Sequence, residues 1–304
     1  MQKKIIIFYS IIVVLGLVSE VFLHYGQNYT LNILKSQTGF VNLEIMGLDW
    51  YKLNSNPGYQ DINCIHVLFY LVLLIGVLQY ASDSKKSGLI RFGASVLFLS
   101  LIIHLLFWIA TLSYLIKAWT AWGWWTQAAL STIVTIFLIW VHYAIIRQLN
   151  SDKKLKTIER LYRDNTVLNL VTTDKIQRFL HLFIDVLLTI LILSPMLHSL
   201  IRINELNFIP ETLENIFGER GALWIIIAVF RLIYYTVSEG FLQASPSKFL
   251  TGSRVVDPDG EKVKPVTIVL RTLSRFIPFE AFSFLGGHDG WHDRFTDTHV
   301  VKEE

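Results

Sequence analysis

Six long apolar runs dominate the pattern along the chain, each close to the roughly 20 residues that a helix needs to cross a bilayer. They cover about residues 4–23, 62–81, 92–116, 126–146, 178–201 and 221–240. After the sixth run the pattern changes. Ser253–Val256, a turn at Asp257, Pro258, Asp259 and Gly260, and then Glu261–Lys264 predict a short polar hairpin, because Asp-Gly at an apex tolerates positive backbone angles. Pro265 then opens an amphipathic helix. Val269, Leu270, Leu273, Phe276 and Ile277 form its apolar face, while Arg271 and Arg275 stand one turn apart on another, a design suited to lying in the membrane interface. The expected fold is an all-α membrane protein with about six transmembrane helices, a short cytoplasmic hairpin and an interfacial amphipathic helix near the C-terminus.

Composition agrees with that pattern. Hydrophobic residues make up 53% of the chain and charged ones 17%, a balance that a water-soluble protein would struggle to hide. The first run could be a signal peptide, with Lys3 and Lys4 as its basic end, but it outruns a signal core and exits through Ser19, Glu20, Val21, Phe22 and Leu23 without a small-residue cleavage site. It is expected to stay as a helix. Most of the 27 basic residues fall in the first few residues, the 82–91 and 147–175 segments and the part beyond residue 240. By the positive-inside rule these face the cytoplasm, so both termini are expected on the cytoplasmic side of the membrane. The net charge of +3 is then a matter of topology. Basic residues do not cluster with exposed aromatics, so nucleic acid is not an expected partner.

Three regions follow: a four-helix membrane region over 1–146, a charged cytoplasmic connector over 147–175, and a C-terminal region over 176–304. In the connector, KKLKTIERLY reads as a loop or as a solvated helix with Glu159 close to Arg160 and Arg163. Trp119, Trp122, Trp124 and Trp125 suit an interfacial aromatic belt. Asn28, Tyr29 and Thr30 match a three-residue glycosylation acceptor, a pattern too common to carry weight. Cys64 reads as a small buried hydrophobe, and His66, His104 and His142, each alone in an apolar helix, read as core residues.

The polar residues inside the last two runs carry the functional signal. A charge within a spanning helix is costly, about 2.5 to 3.5 kcal/mol at the bilayer centre on insertion scales, so it has a partner or a task. Arg178, His181 and Asp185 lie at i, i+3 and i+7, on one helical face within about 60° and over a rise of about 10 Å. The sixth run carries Arg231, Tyr235, Ser238 and Glu239. Antiparallel packing of the two helices predicts two ion pairs, Asp185 with Arg231 and Arg178 with Glu239. The pairs either neutralise charges and fix helix register, or form part of a proton or ion path. His288, Asp289, His292, Asp293, Asp297 and His299 make the C-terminal segment rich in ligand-type side chains, yet without the spacing of a zinc site. No nucleophile elbow, P-loop or metalloprotease motif is present, so the expectation is a non-enzyme with no cofactor.

Four blocks in order, RFLHLFID, SPSKFLTGSRVVDPDG, LRTLSRFIPFEAFSFLG and GWHDRFTDTHVV, resemble the RDD family of bacterial membrane proteins over about residues 170–304. That family takes its name from one arginine and two aspartates, which match Arg178, Asp185 and Asp293 here. Where relatives commonly carry a glycine-rich stretch with a Gly-Lys pair, this chain has Gln243, Ala244, Ser245, Pro246, Ser247 and Lys248. The resemblance implies a link to transport, including cation/proton exchange. The alternative is a non-transporting scaffold or assembly partner whose charges are structural. Besides the lipid bilayer, the partners left open are a second copy of the chain or another membrane protein. Because a free tail has little need of a fixed carboxylate, WHDRF is expected to fold back, with Trp291 at the interface and Asp293 meeting Arg178, Arg271 or Arg275.

Overall fold

The computed structural model describes residues 2–25, 64–118, 122–162, 165–204, 211–280, 283 and 290–304. The first outer loop with Asn28–Thr30, Trp119, His288 and Asp289 lie outside the described residues, as do the side chains of Cys64 and His66 and those of the remaining belt tryptophans. Six long helices stand at the six apolar runs: α1 Gln2–Tyr25, α2 Cys64–Ser82, α3 Gly88–Ala118, α4 Trp122–Ser151, α5 Lys175–Asn204 and α6 Glu211–Leu242. Among the described residues three stretches, Gly88–Leu106, Ala129–Ser151 and Trp224–Leu242, are long and apolar enough to cross a membrane. Gly218, at φ 69°, breaks the helical path near the start of α6, in a conformation that only glycine takes at little cost.

The chain divides into two compact units, Met1–Ile145 with Ile190–Glu211, and Ile146–Thr189 with Thr212–Glu304. In the first, α2 packs on both α1 and α3. A Cβ on Gly76 would stand 2.9 Å from the backbone nitrogen of Ile90, so this glycine lets the backbones of α2 and α3 approach closely. His142 is buried, its Nδ1–H donating to the Leu138 carbonyl at 2.8 Å and its ring edge-on to Phe8 and Tyr9, the core role expected of it. His104, expected in the core, is exposed. A helix that is apolar on every side carries no stripe to say which face turns inward.

The second unit departs from the sequence reading in its strands. The connector is a hairpin, β1 Thr157–Tyr162 paired antiparallel with β2 Asn165–Leu170, and not a solvated helix or plain loop. Its backbone places Glu159 opposite Leu168 and Arg160 opposite Val167. Thr157, Ile158, Tyr162, Thr166 and Val167 favour the extended chain through β-branching and aromatic packing, which outweighs the charged character that suggested a helix.

The second correction concerns the hairpin expected at 253–264. The turn is there, with the Gly260 N–H donating to the Asp257 carbonyl at 3.0 Å and Gly260 at φ 84°. Residues 261–264 are not its second strand. After a short helix α7, Pro246–Leu250, strand β3 Ser253–Val256 pairs antiparallel with β4 His299–Lys302, Val255 opposite Val300. Val255, Val256, Val300 and Val301 are buried, whereas Glu261 and Lys262 are exposed, so burial selects the apolar partner far along the chain over the polar one next door. The other side of β4 is occupied too. The Lys156 N–H donates to the Lys302 carbonyl at 2.9 Å, and the Thr173 N–H to the Val300 carbonyl at 2.9 Å.

Among the described residues two helices lie between β3 and β4, α8 Pro265–Ser274 and α9 Trp291–Thr296. Proline at the first position of α8 needs no N–H bond there, as the sequence predicts. The helix is inverted relative to a soluble amphipathic helix. Val266, Val269, Leu270 and Leu273 are exposed, while Arg271 is wholly buried.

Candidate functional site

The inward face of α8 leads to the site, which lies entirely within the second unit. Arg271 is 0% exposed and reaches two carboxylates at once. Its Nε–H donates to Glu239 Oε2 at 3.1 Å, and its Nη1 bonds both Asp293 Oδ1 and the Thr298 hydroxyl. Glu239, on α6, also accepts Lys248 Nζ at 3.0 Å and Arg275 Nη2 at 2.8 Å on its other oxygen. Three cations thus converge on one buried carboxylate. Asp293, on α9, accepts Arg178 Nη1 of α5 on Oδ2. The chain of charges Lys248–Glu239–Arg271–Asp293–Arg178 therefore ties α5, α6, α7, α8 and α9 together.

Local structure explains how each group arrives. α9 starts at Gly290, whose N–H donates to Asp293 Oδ2 at 3.3 Å, so the carboxylate that meets Arg178 also closes the first turn of its own helix. A Cβ on Gly290 would lie 3.0 Å from the His292 ring, so a larger residue there would have to displace that ring. Asp297, at φ 48°, ends the helix in the left-handed conformation that aspartate tolerates. At the other end, Ser245 and Pro246 start α7 and bring Lys248 inward, where the Ser245 hydroxyl accepts a hydrogen bond from Nζ at 2.9 Å. Against the desolvation that burial imposes, Arg271, His292 and Arg178 hold the Asp293 carboxyl well below the ordinary carboxylate range. Burial pushes the His292 imidazole down, while Asp293 and the Glu280 carboxylate on its Nδ1 act in the opposite direction.

Asp185 is held differently. It is 1% exposed and accepts the Tyr234 hydroxyl at 3.0 Å and the Ser247 backbone N–H at 3.4 Å. Among the described residues no salt bridge reaches it. The expected pairing of Asp185 with Arg231 is therefore absent. The Arg231 guanidinium lies 5.8 Å from the Tyr235 ring centroid and 5.9 Å from that of Phe276. The expected Arg178–Glu239 pair is absent as well, since Arg178 turns to Asp293 while Glu239 takes Lys248, Arg271 and Arg275. Depth matching between two helices missed this because it ignored the cations that α7 and α8 bring to the same place. The expected fold-back of the tail takes place, with Asp293 meeting two of the three arginines considered for it. Tyr235 serves as a platform for Arg275, whose guanidinium lies 4.1 Å from its centroid. His181 is buried with Nε2 at 2.5 Å from the Thr251 hydroxyl.

These groups surround a cavity of about 60 Å³. One water needs roughly 10–15 Å³ by that measure, so several fit. Arg178, His181, Asp185, Arg231, Tyr235, Lys248, Arg271 and Arg275 all line it, as do Glu280 and His292. Of the residues marked by the sequence, Arg178, His181, Asp185, Arg231 and Tyr235 stand on the cavity wall, and Glu239 and Asp293 are bonded to wall residues. The sequence reading did not place Tyr234, Ser247, Lys248, Glu280 or Thr298 at a site, and named His292 only among the ligand-type side chains of the C-terminal segment. Of the unplaced ones, only Lys248 left a signal there, as a lone cation beside the apolar Phe249 and Leu250.

Residues 173–296 match the RDD family model. No curated protein and no solved structure matches the chain. The RDD match includes Arg178, Asp185 and Asp293, and the resemblance seen in the C-terminal blocks holds for this segment. Two of the three meet directly, Arg178 on Asp293, while Asp185 stands apart with its phenol and its backbone donor. Gln243 takes φ 63°, a left-handed value that glycine adopts freely and glutamine does not. Four residues on, the Ser247 N–H reaches Asp185 at 3.4 Å.

Proposed function

We propose that this RDD-containing membrane protein is a small cation/proton exchanger of the bacterial cytoplasmic membrane, in which Asp185 takes up and releases the transported proton or cation. The supporting observation is the contrast among buried carboxylates. Glu239 and Asp293 are each held by two or more cations, whereas Asp185 is held by a phenol and an amide and lines a cavity with room for water. A carboxylate so placed changes its protonation without tearing an ion pair apart. In sealed vesicles under a pH gradient, Asp185→Asn is expected to abolish cation-driven proton movement while yielding as much folded protein as the parent. Equal flux from the variant, or no flux from the parent, would sink the reading.

Six crossings with both termini and the 147–175 segment inside fit the distribution of basic residues. The outward apolar face and inward arginines of α8 suit a helix resting in the interface. Reporter fusions at Asp164 and Glu304 are expected to read as cytoplasmic and one at Asn56 as external. An external signal at either of the first two overturns the six-helix topology. A second reading, a non-transporting scaffold for another membrane protein or a second copy, draws on the ion-pair chain, which binds five helices as a fixed frame would. Neither enzymatic activity, a cofactor nor nucleic-acid binding forms part of either proposal.

A further inference from the structure

The charge balance of the cavity points to a ligand of its own. Five cations line it, Arg178, Arg231, Lys248, Arg271 and Arg275, against two carboxylates, Asp185 and Glu280. Glu239 and Asp293, bonded to four of those cations, add two more negative charges. Five positive charges against four negative leave one in excess, and Arg231 is the cation that no salt bridge accounts for among the described residues. Arg231 lines the cavity and is only half-buried, unlike the wholly buried Arg271, so it is the cation left open to a ligand.

We propose that the cavity binds a small oxyanion of the phosphate type, received by Arg231 in the positive field of the other four cations. A guanidinium presents planar paired donors that fit phosphate oxygens, and among the described residues those of Arg231 are taken by no carboxylate. The cavity volume of about 60 Å³ accommodates one phosphate group. Phosphate chemistry can come from free inorganic phosphate or from a phospholipid headgroup. Phe276, the ring beside Arg231, follows the exposed apolar face of α8, which would bring a lipid headgroup within reach. The proposal stands independently of transport through Asp185, and its readout is binding rather than flux.

The test uses the full chain in nanodiscs, titrated with inorganic phosphate by calorimetry, first in zwitterionic lipid and then with phosphatidylglycerol present, with native mass spectrometry of retained lipid. Phosphate is expected to bind in zwitterionic discs, with Arg231→Gln weakening it by about tenfold or more and Arg231→Lys by less. If phosphatidylglycerol suppresses phosphate binding, and the parent retains that lipid while Arg231→Gln loses it, the headgroup is the natural source. If phosphate binds equally in both discs, the free anion is. No phosphate binding together with no retained lipid overturns the proposal, as does equal binding by parent and Arg231→Gln. Should Arg231→Gln fail to fold, thermal protection of the parent decides: protection by phosphate and not by chloride supports the site, and none refutes it.

Discussion

Glu239→Gln is expected to destabilise the second unit by about 3–5 kcal/mol, the cost of removing one partner from a buried ion pair. Here one carboxylate serves Lys248, Arg271 and Arg275, and glutamine keeps a single acceptor oxygen while turning an amide donor toward cations that already have donors to spare. Glutamine conserves volume, so the effect reports charge rather than packing. Thermal unfolding of the detergent-solubilised protein, followed by intrinsic fluorescence, is the measurement. A variant that melts at the parent temperature would show that the three cations are satisfied elsewhere.

Asp293→Ala is the second large effect, again about 3–5 kcal/mol, because it strips the shared acceptor from Arg178 and Arg271. It also removes the side chain that caps α9, so the loss should concentrate in the tail. Arg294 is exposed next to it and offers a tryptic site. Cleavage there is expected to be slow in the parent and fast in Asp293→Ala, with equal rates refuting the latch. The pH dependence follows from sign. The folded carboxyl sits below its unfolded value of about 3.9, so its contribution is complete above that pH and is lost as pH falls toward the folded value. Protection at Arg294 should therefore hold through neutral pH and decay only below about pH 4.

The helices were legible because a 20-residue apolar run has few alternatives, and all six stand where the runs place them. The strands were not, for two physical reasons. Thr157–Leu170 mixes charge with β-branched residues, and its antiparallel ladder is settled by pairing that no helical period records. Ser253–Val256 finds its partner at His299–Lys302, beyond two intervening helices, where no local turn signal points. At the site, residue types sufficed to mark Arg178, Asp185 and Asp293, but partner choice did not follow from depth along two helices. Arg271 shows why. Its sequence context reads as the polar face of an interfacial helix, and the same context serves equally well when that face is turned inward onto Glu239 and Asp293.

The bond between Arg178 and Asp293 joins residues 115 positions apart. Ribosomes add roughly 5–20 residues per second, so the arginine emerges about 6–23 seconds before its acceptor exists. Throughout that interval α5 carries a guanidinium near its start with no carboxylate from α9 to receive it. Arg271, 22 positions ahead of Asp293, waits far less, and has Glu239 already made when it arrives. The partners of the Glu239 half of the network are therefore all made before Asp293 is, and Arg178 gains its acceptor only once α9 follows.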